Sequence, residues 1–483
     1  MPKKLKRSEQ TPSFVCEIPL QVTVRQARTI NTRLEAGRQL YNAILGEGLR
    51  RLRLTKESKA YQATKKIPKD EVHLNERRAA FSAVRLDHGF TEYQLSQYAT
   101  QIRKSWIGDH VGAHLAQKIV KRVYQALEKV SFGQAKKVRF KTKSRGLRSL
   151  EGKTNEANLR WKGNHLAWGK MILPMVKGIE NDPVMAHGLS SKVKYVRLVK
   201  RNVRGKDRFY AQLVCEGVPY QKPGRVIGDE KIGLDTGPST IAEVGNTQAS
   251  LRLFAEDVVR DHKRIRRLQR KQDRERRANN PDCYDELGRA IKGKHPWKKS
   301  HRQIATEAKL RDLYRKEAAH RKTLHGQLAN EILAKGKYIY TEKLSYKAFQ
   351  KRYGKSIGIR APKLFLSTLR RKAESAGGYM IEFNTRTTAL SQTCICGRKE
   401  KKSLSERVHT CECGVIAQRD LFSAYLARFV EEDRLQVADA YEYWQSAESL
   451  LQMAWEQAHN QLASRGYNVP SSFGKLPESE RVI

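Results

Sequence analysis

Residues 233–242 read GLDTGPSTIA, and this stretch decides the fold of the second half of the chain. Its first residues predict a short apolar strand that ends at Asp235, and the pair 237–238 (GP) then breaks the strand. Residues 337–342 (KYIYTE) repeat the arrangement with a strand whose last residue is Glu342. Because ligands bind at the ends of strands in open α/β sheets, both acids are candidate site residues.

Helical patterns alternate with these strands from about residue 228 onward. The predicted helices cover residues 257–278, which are strongly basic, and residues 303–335, 362–376 and 420–430. Strands that alternate with helices predict a layered α/β domain.

A third acid, Asp420, opens the last of these helices, where it suits the positive end of the helix dipole and is also a candidate N-cap. If the fold brings Asp235, Glu342 and Asp420 together, Mg²⁺ would relieve their repulsion, because it prefers carboxylate oxygens. Two such ions would activate a water molecule and stabilise the leaving 3′-oxygen of a phosphodiester. From the residues alone, a helix cap and a surface strand end remain alternatives for Asp420 and Glu342.

Four of the seven cysteines form two similar half-sites, Cys394-Ile-Cys396-Gly and Cys411-Glu-Cys413-Gly. Such a cluster in a long chain indicates metal binding in a reducing compartment rather than a disulfide framework. Paired half-sites with glycine turns are typical of a structural Zn²⁺ site, although the usual half-site is one residue longer. His409 is therefore a possible substitute ligand, and unpaired thiols are the alternative.

The charge of the chain is its most unusual property. The 95 Lys and Arg residues against 50 Asp and Glu give a net charge of +45. Nucleic acid is the polyanion that best explains this excess, with a ribosome or an anionic membrane as alternatives. Since no run of 18 apolar residues and no secretory signal occurs, the sequence predicts no membrane span and a cytoplasmic, nucleoid-associated protein.

The first half predicts a β-domain that is interrupted by helices. Residues 14–24 alternate like a half-buried strand, a helical pattern then runs to about residue 135, and residues 136–153 are basic, as in a loop or an edge strand that faces phosphate. Short strands return at 190–215, and a Pro- and Gly-containing linker follows at 219–224.

The order of these features resembles the TnpB family, the RNA-guided nucleases of bacterial insertion sequences, and the similar compact type V CRISPR effectors. The resemblance runs from about residue 12 to 430. It is carried by GLDTGPSTIA (233–242), YTEKLS (340–345), SQTCICG (391–397), TCECG (410–414) and QRDLFSAYLA (418–427), with KKVRFKTKSRGLRSLEGK (136–153) and RFYAQLVCEG (208–217) upstream.

The resemblance implies a bilobed α+β protein. A wedge-like β-barrel domain would comprise residues 1–30 and 185–225, with a helical recognition region at 31–184. An RNase-H-like RuvC nuclease domain would comprise 228–390 and 415–432, with a zinc-binding insert for target nucleic acid at 391–414. An acidic helical tail, residues 433–483, follows the resemblance.

The resemblance also implies the site residues and the partners. Asp235, Glu342 and Asp420 fall on the catalytic acids that hold Mg²⁺, and the zinc ligands would be Cys394, Cys396, Cys411 and Cys413. The expected function is Mg²⁺-dependent cleavage of double-stranded target DNA that has paired with a guide RNA.

Alternative functions are an RNA-guided DNA-binding repressor without efficient cleavage and a structural RNA-binding protein. One departure from the family is Phe422, where an Asn often stands. The sequence leaves open the oligomeric state, the guide sequence and the choice between a transposon and a CRISPR array as host.

Overall fold

The computed structural model describes residues 12–144, 146–293, 296–403 and 405–477. It divides into two compact units, Met1–Tyr220 and Gln221–Ile483, and the division falls inside the predicted linker. Both units mix helices with strands, which confirms the prediction of a multidomain protein of mixed α and β structure. The outermost parts of the predicted β-domain and tail, residues 1–11 and 478–483, lie outside the described residues.

The first unit combines helices with antiparallel strands. Its helices are α1 (Val24–Glu57), α2 (Lys59–Lys66), α3 (Leu74–Asp87), α4 (Glu92–Ile102), α5 (Ile107–His110), α6 (Ala113–Ser131) and α7 (Pro183–Ser190). Its strands are β1 (Ser13–Pro19), β2 (Ser149–Glu151), β3 (Leu159–Lys162), β4 (His165–Trp168), β5 (Met171–Pro174), β6 (Val193–Val203) and β7 (Lys206–Glu216). One antiparallel sheet has the order β1-β7-β6-β2, and a second has the order β3-β4-β5.

The first strand is shorter than the alternating pattern of residues 14–24 predicts. It ends at Pro19 because Thr23 starts helix α1 with a capping box. The Thr23 side chain accepts a hydrogen bond from the Gln26 backbone N–H, and the Gln26 side chain accepts one from the Thr23 N–H. The alternating pattern of residues 14–24 therefore runs past the strand into Thr23, the N-cap of α1, and Val24, its first residue.

Within the basic segment 136–153, residues 149–151 form strand β2 at the edge of the four-stranded sheet, and the described residues before it form a loop, so both predicted forms occur. The long helices of this unit end at Ser131. Beyond that residue, the described part of the predicted helical region contains four short strands, β2 to β5, a 3-10 turn at Ile179–Asn181 and the start of one α-helix, α7. The long helices thus end close to residue 135, where the helical sequence pattern stops, and not at residue 184.

The second unit contains a mixed sheet with helices on both faces. Its strands are β8 (Lys231–Thr236), β9 (Thr240–Val244), β10 (Ala249–Leu253), β11 (Tyr338–Glu342), β12 (Tyr379–Phe383), β13 (Val408–Thr410), β14 (Ile416–Gln418), β15 (Val430–Glu431) and β16 (Arg434–Leu435). Its helices are α8 (His262–Ala278), α9 (His301–Lys335), α10 (Tyr346–Arg360), α11 (Pro362–Ser375), α12 (Thr385–Thr388), α13 (Arg419–Ala427), α14 (Val437–Glu442) and α15 (Trp444–Ser464).

The central sheet has the order β10-β9-β8-β11-β12, in which β8, β11 and β12 are parallel and the other pairs are antiparallel. Successive side chains of β8 lie on opposite faces of the sheet and pack in different hydrophobic clusters. Ile232 and Leu234 pack with residues of α9 and α11 on one face. On the other face, Gly233 lies against helix α13, so the sheet is the middle of three layers.

Helix α13 approaches strand β8 unusually closely at Gly233. A Cβ atom at this position would lie 1.8 Å from the backbone oxygen of Ala424, which no side-chain adjustment could relieve. Only glycine allows this approach. Every residue of α13 from Leu421 to Ala427 is buried, because the sheet covers one side of the helix and α15 packs in the same cluster.

The C-terminal segment is part of the core of this unit. On α15, Trp444, Leu451 and Trp455 are buried in the same cluster as helix α13. The Trp455 indole N–H donates to the backbone oxygen of Phe473 at 2.8 Å, which ties the chain beyond α15 back to the helix. Among the described residues, no helix is both long and apolar enough to cross a membrane.

Replacing Gly233 with Ala is expected to destabilise the second unit by about 1–3 kcal/mol, because the added methyl group must push α13 away from β8. Urea unfolding followed by circular dichroism measures the change. Gly326→Ala is the matched control, since a Cβ atom there meets nothing within 4 Å in the interior of α9. That control should be neutral or stabilising by up to about 1 kcal/mol; equal midpoints for the two variants would contradict the close approach.

Candidate active site and cysteine cluster

Asp235 and Glu342 are neighbours at the end of two parallel strands. The register pairs Leu234 with Thr341, so Asp235 and Glu342 are the next residues along β8 and β11. Adjacent strands lie about 4.8 Å apart. Glu342 shares its face of the sheet with Tyr340, which packs in the α13 core, and Asp235 shares its face with Gly233. Both carboxyl side chains therefore lie on the side of the sheet that α13 covers.

Asp420 reaches the same place from the helix. Gly233 lies against Ala424, which is one helical turn after Asp420, whereas Asp235 follows Gly233 by two residues along the strand. One helical turn, from Ala424 back to Asp420, covers about 5.4 Å, and the two residues from Gly233 to Asp235 cover about 6.6 Å along the strand. Because these distances are similar, the first turn of α13 lies at the end of β8. The structure thus brings together the three acids that the sequence predicts.

The alternative interpretation of Asp420 as a helix cap is wrong. The N-cap of α13 is Gln418, whose side-chain oxygen accepts a hydrogen bond from the Leu421 backbone N–H at 2.8 Å. Asp420 instead accepts a hydrogen bond at Oδ2 from the Thr240 hydroxyl at 3.3 Å. Because Gln418 is the N-cap, Asp420 is not needed to cap α13.

Burial raises the pKa of all three carboxyl groups. Burial raises the pKa of Asp235 well above its usual range, and the charges of Asp420 and Glu342 raise it further. Burial also raises the pKa of Glu342 to about 7 and raises that of Asp420. All three side chains keep partial solvent exposure, so a ligand can reach them. Such a cluster is unfavourable while all its members are ionised, and a bound cation would relieve that cost.

Two arginines counter the acids, and the sequence analysis did not identify either of them. The charges of Arg419 and Arg407 lower the pKa values of both Asp235 and Asp420. The Arg419 Nε atom lies 3.9 Å from Asp420 Oδ1. Arg419 directly precedes Asp420, so its position gave a signal, whereas nothing in the sequence around Arg407 indicates that it lies near an acid thirteen residues later.

The four predicted zinc ligands converge on one point. The Sγ atoms of Cys394 and Cys413 are 3.5 Å apart, and those of Cys396 and Cys411 are 3.6 Å apart. Among the described residues, this is the only set of three or more Cys, His, Asp or Glu side chains whose ligand atoms all lie within 4.8 Å of one another. A tetrahedral Zn²⁺ with Zn–S bonds of about 2.3 Å separates its sulfurs by about 3.8 Å, so the four thiols fit zinc.

The shortened half-sites converge because each forms the same tight turn. Gly397 donates its backbone N–H to the oxygen of Cys394 at 3.0 Å, and Gly414 does the same to Cys411 at 3.0 Å. Both glycines have φ in the left-handed region, +84° and +93°. The glycine after each Cys-x-Cys thus closes a turn that directs both sulfurs to one side.

His409 is not needed as a substitute ligand. It is buried, its Nδ1 atom lies 3.1 Å from the Lys402 ammonium, and its ring stacks on Phe422 with centroids 4.3 Å apart. Phe422 also packs against Trp444 of α15, at 5.3 Å in an edge-to-face arrangement. The departure from the family at Phe422 therefore fills an aromatic cluster between the hairpin β13–β14 and the C-terminal segment.

Comparison with known proteins gives one family match. Residues 363–426 match the family model described as Cas12f1-like, TNB domain. This segment contains all four cysteines of the cluster and Asp420, and over it the predicted resemblance to TnpB-like and compact type V effectors is confirmed. No curated protein gives a significant match.

Two solved complexes are similar to the chain at low identity. A cryo-EM structure of a Cas12f1–sgRNA–target DNA complex has 12% identity and a TM-score of 0.43, covering 86% of this chain and 98% of that one. A cryo-EM structure of a CRISPR–Cas12f ternary complex has 13% identity and a TM-score of 0.25, covering 83% and 81%. Both TM-scores lie below 0.5, so these likenesses do not establish a shared fold.

Replacing Cys413 with Ser is expected to remove zinc from the purified protein, because three thiolates and a hydroxyl bind the ion far more weakly than four thiolates. Elemental analysis should give about one zinc per wild-type chain and much less in the variant. Cys283→Ser, which changes a buried cysteine outside the cluster, is the control and should keep its zinc. Zinc-free wild-type protein would refute the assignment.

Proposed function

We propose that this chain is an RNA-guided DNA endonuclease whose Asp235, Glu342 and Asp420 form a Mg²⁺-dependent, RuvC-like active site. The observation that carries the proposal is the meeting of these three acids on one face of the sheet, where two parallel strands end and helix α13 begins. The family match supports it, because the matched segment contains Asp420.

The chemistry of the acids suits Mg²⁺. Carboxylate oxygens are the ligands it prefers, and burial, which raises the pKa of all three acids, makes their ionised forms costly without a counter-charge. When bound, a Mg²⁺ pair would activate the attacking water and stabilise the leaving 3′-oxygen.

The charge of the chain supports guide RNA and target DNA as the partners. A net charge of +45 is enough to grip a long RNA–DNA duplex through its phosphates, while base pairing supplies the sequence specificity. Helix α8 gives the second unit a basic surface of the kind that binds phosphates. Five exposed cations lie along one side of it: Lys263, Arg266, Arg267, Arg270 and Arg274.

We assign the remaining parts by the same resemblance. The four-stranded sheet of the first unit would belong to the wedge-like domain, and helices α1 to α6 to the recognition region. Residues 228–390 and 415–432 would form the RuvC-like domain. The cysteine hairpin at 391–414 would be the target-nucleic-acid-binding insert, held in shape by a structural Zn²⁺.

The direct experiment purifies the chain with its bound RNA, sequences that RNA and supplies DNA that matches its guide segment together with Mg²⁺. The wild-type protein should cut the DNA, and Asp235→Asn should cut about 10²–10³-fold more slowly, because the variant loses a charge that holds the cation. Binding of RNA and target by Asp235→Asn should stay within a few-fold of wild type.

Asp282→Asn makes the same chemical change at an exposed position and should cleave like wild type. Equal cleavage by Asp235→Asn and Asp282→Asn would exclude the proposed active site. If wild-type protein binds matched DNA tightly but leaves it intact with Mg²⁺, the RNA-guided repressor is the correct function instead. If no discrete RNA copurifies, guidance by RNA is excluded.

A further inference from the structure

We propose that Thr240 is the positioning residue of Asp420: its hydroxyl holds Oδ2 of the carboxylate and so leaves Oδ1 available to a cation. This role rests on the proposed function. Thr240 is the first residue of β9, is only 3% exposed, and donates from Oγ1 to Asp420 Oδ2 at 3.3 Å. The sequence motifs that predict the three acids imply no role for Thr240.

The local backbone fixes where the hydroxyl lies. β8 and β9 are joined by a tight turn, in which the Gly237 backbone N–H donates to the Thr240 oxygen at 3.0 Å. A Cβ atom on Gly237 would lie 2.8 Å from Thr240 Oγ1, so the glycine makes room for the hydroxyl. Thr240 also shares its face of the sheet with Ala242, which pairs with Asp235. The hydroxyl therefore lies between the turn and the acid site.

Asp420 needs such a partner because a carboxylate in the first turn of a helix has a competing use. Its oxygens can accept hydrogen bonds from the free N–H groups at the helix end. Gln418 removes part of that competition by capping α13 itself, and its amide nitrogen is held by the backbone oxygen of Ser472 at 3.3 Å. Thr240 then fixes one oxygen of Asp420 from the opposite side.

The two oxygens of Asp420 consequently have different surroundings. Oδ2 accepts a hydrogen bond from a neutral, buried hydroxyl, whereas Oδ1 forms only a long ion pair with the Arg419 Nε atom at 3.9 Å, beyond hydrogen-bond distance. A hydrogen bond to one oxygen restricts rotation of the carboxylate and orients the other toward its ligand. Oδ1 is therefore the oxygen that would be available to a cation.

Thr240→Val tests this role, because it removes the hydroxyl and keeps the shape of the side chain. Loss of such a supporting hydrogen bond typically costs about 10–100-fold in metal affinity or activity. We expect Mn²⁺ to bind Thr240→Val about tenfold more weakly than wild type in calorimetry of the RNA-bound protein. The Mg²⁺ concentration for half-maximal cleavage should rise in parallel, and Thr240→Ser, which keeps a hydroxyl, should recover most of the loss.

Thr236→Val is the matched control. Thr236 is equally buried and lies next to Asp235, but its hydroxyl has no hydrogen-bond partner in the described part of the chain. This variant should bind Mn²⁺ and cleave like wild type. Thermal midpoints and zinc content of all variants establish that they are folded, and Thr240→Ala, which should show the same metal defect, replaces Thr240→Val if the latter is unstable.

The results separate the two proposals. If Asp420→Asn is inactive while Thr240→Val matches Thr236→Val in both Mn²⁺ binding and cleavage, the positioning role is wrong and the active site stands. If Thr240→Ser is as impaired as Thr240→Val, the hydroxyl is not the reason and the role is also wrong. If Asp420→Asn cleaves like wild type, the proposed active site fails, and the positioning role fails with it.

Discussion

The contact of Gly233 with the backbone of Ala424 is the constraint on which the second unit depends. Without a side chain at Gly233, helix α13 lies directly on strand β8, and the first turn of the helix is brought to the end of the strand. Asp235 and Asp420 come together through this one contact, although 185 residues separate them in sequence. Glu342 joins them because the parallel register places β11 beside β8. A contact between two backbone segments thus determines where the three acids meet.

The same arrangement explains why the charge cluster is stable enough to exist. Arg407 and Arg419 offset part of the repulsion, and Thr240 donates a hydrogen bond to one of the acids. Burial keeps the pKa values of the acids raised, and at Asp235 the charges of the other two acids add to it. Three ionised carboxylates close together are electrostatically unfavourable by themselves, and a divalent cation bound among them would make the same arrangement favourable.

The four cysteines and two of the acids stand beside local signals, whereas the choice of Asp420 as the third acid came from the order of motifs in the TnpB resemblance. Asp235 and Glu342 end apolar strands, and each cysteine half-site is followed by a glycine that the turn requires. Interactions over long sequence distances could not be predicted in this way. The hydrogen bond of Thr240 and the charge of Arg407 depend on a packing geometry that no local pattern encodes. Strand β1 was predicted too long for the opposite reason, since the capping box at Thr23 overrode an apolar alternation.

The C-terminal segment, which the resemblance does not cover, has a practical consequence for anyone who wishes to make the protein smaller. A chain that stopped at residue 430 would keep every proposed catalytic and zinc ligand, yet it would lose Trp444 from beside Phe422 and Ser472 from beside Gln418. Buried aromatic surface on α13 would then face solvent. Size reduction must therefore begin elsewhere than in the C-terminal segment, and a fused domain at this end needs a linker that starts after Phe473.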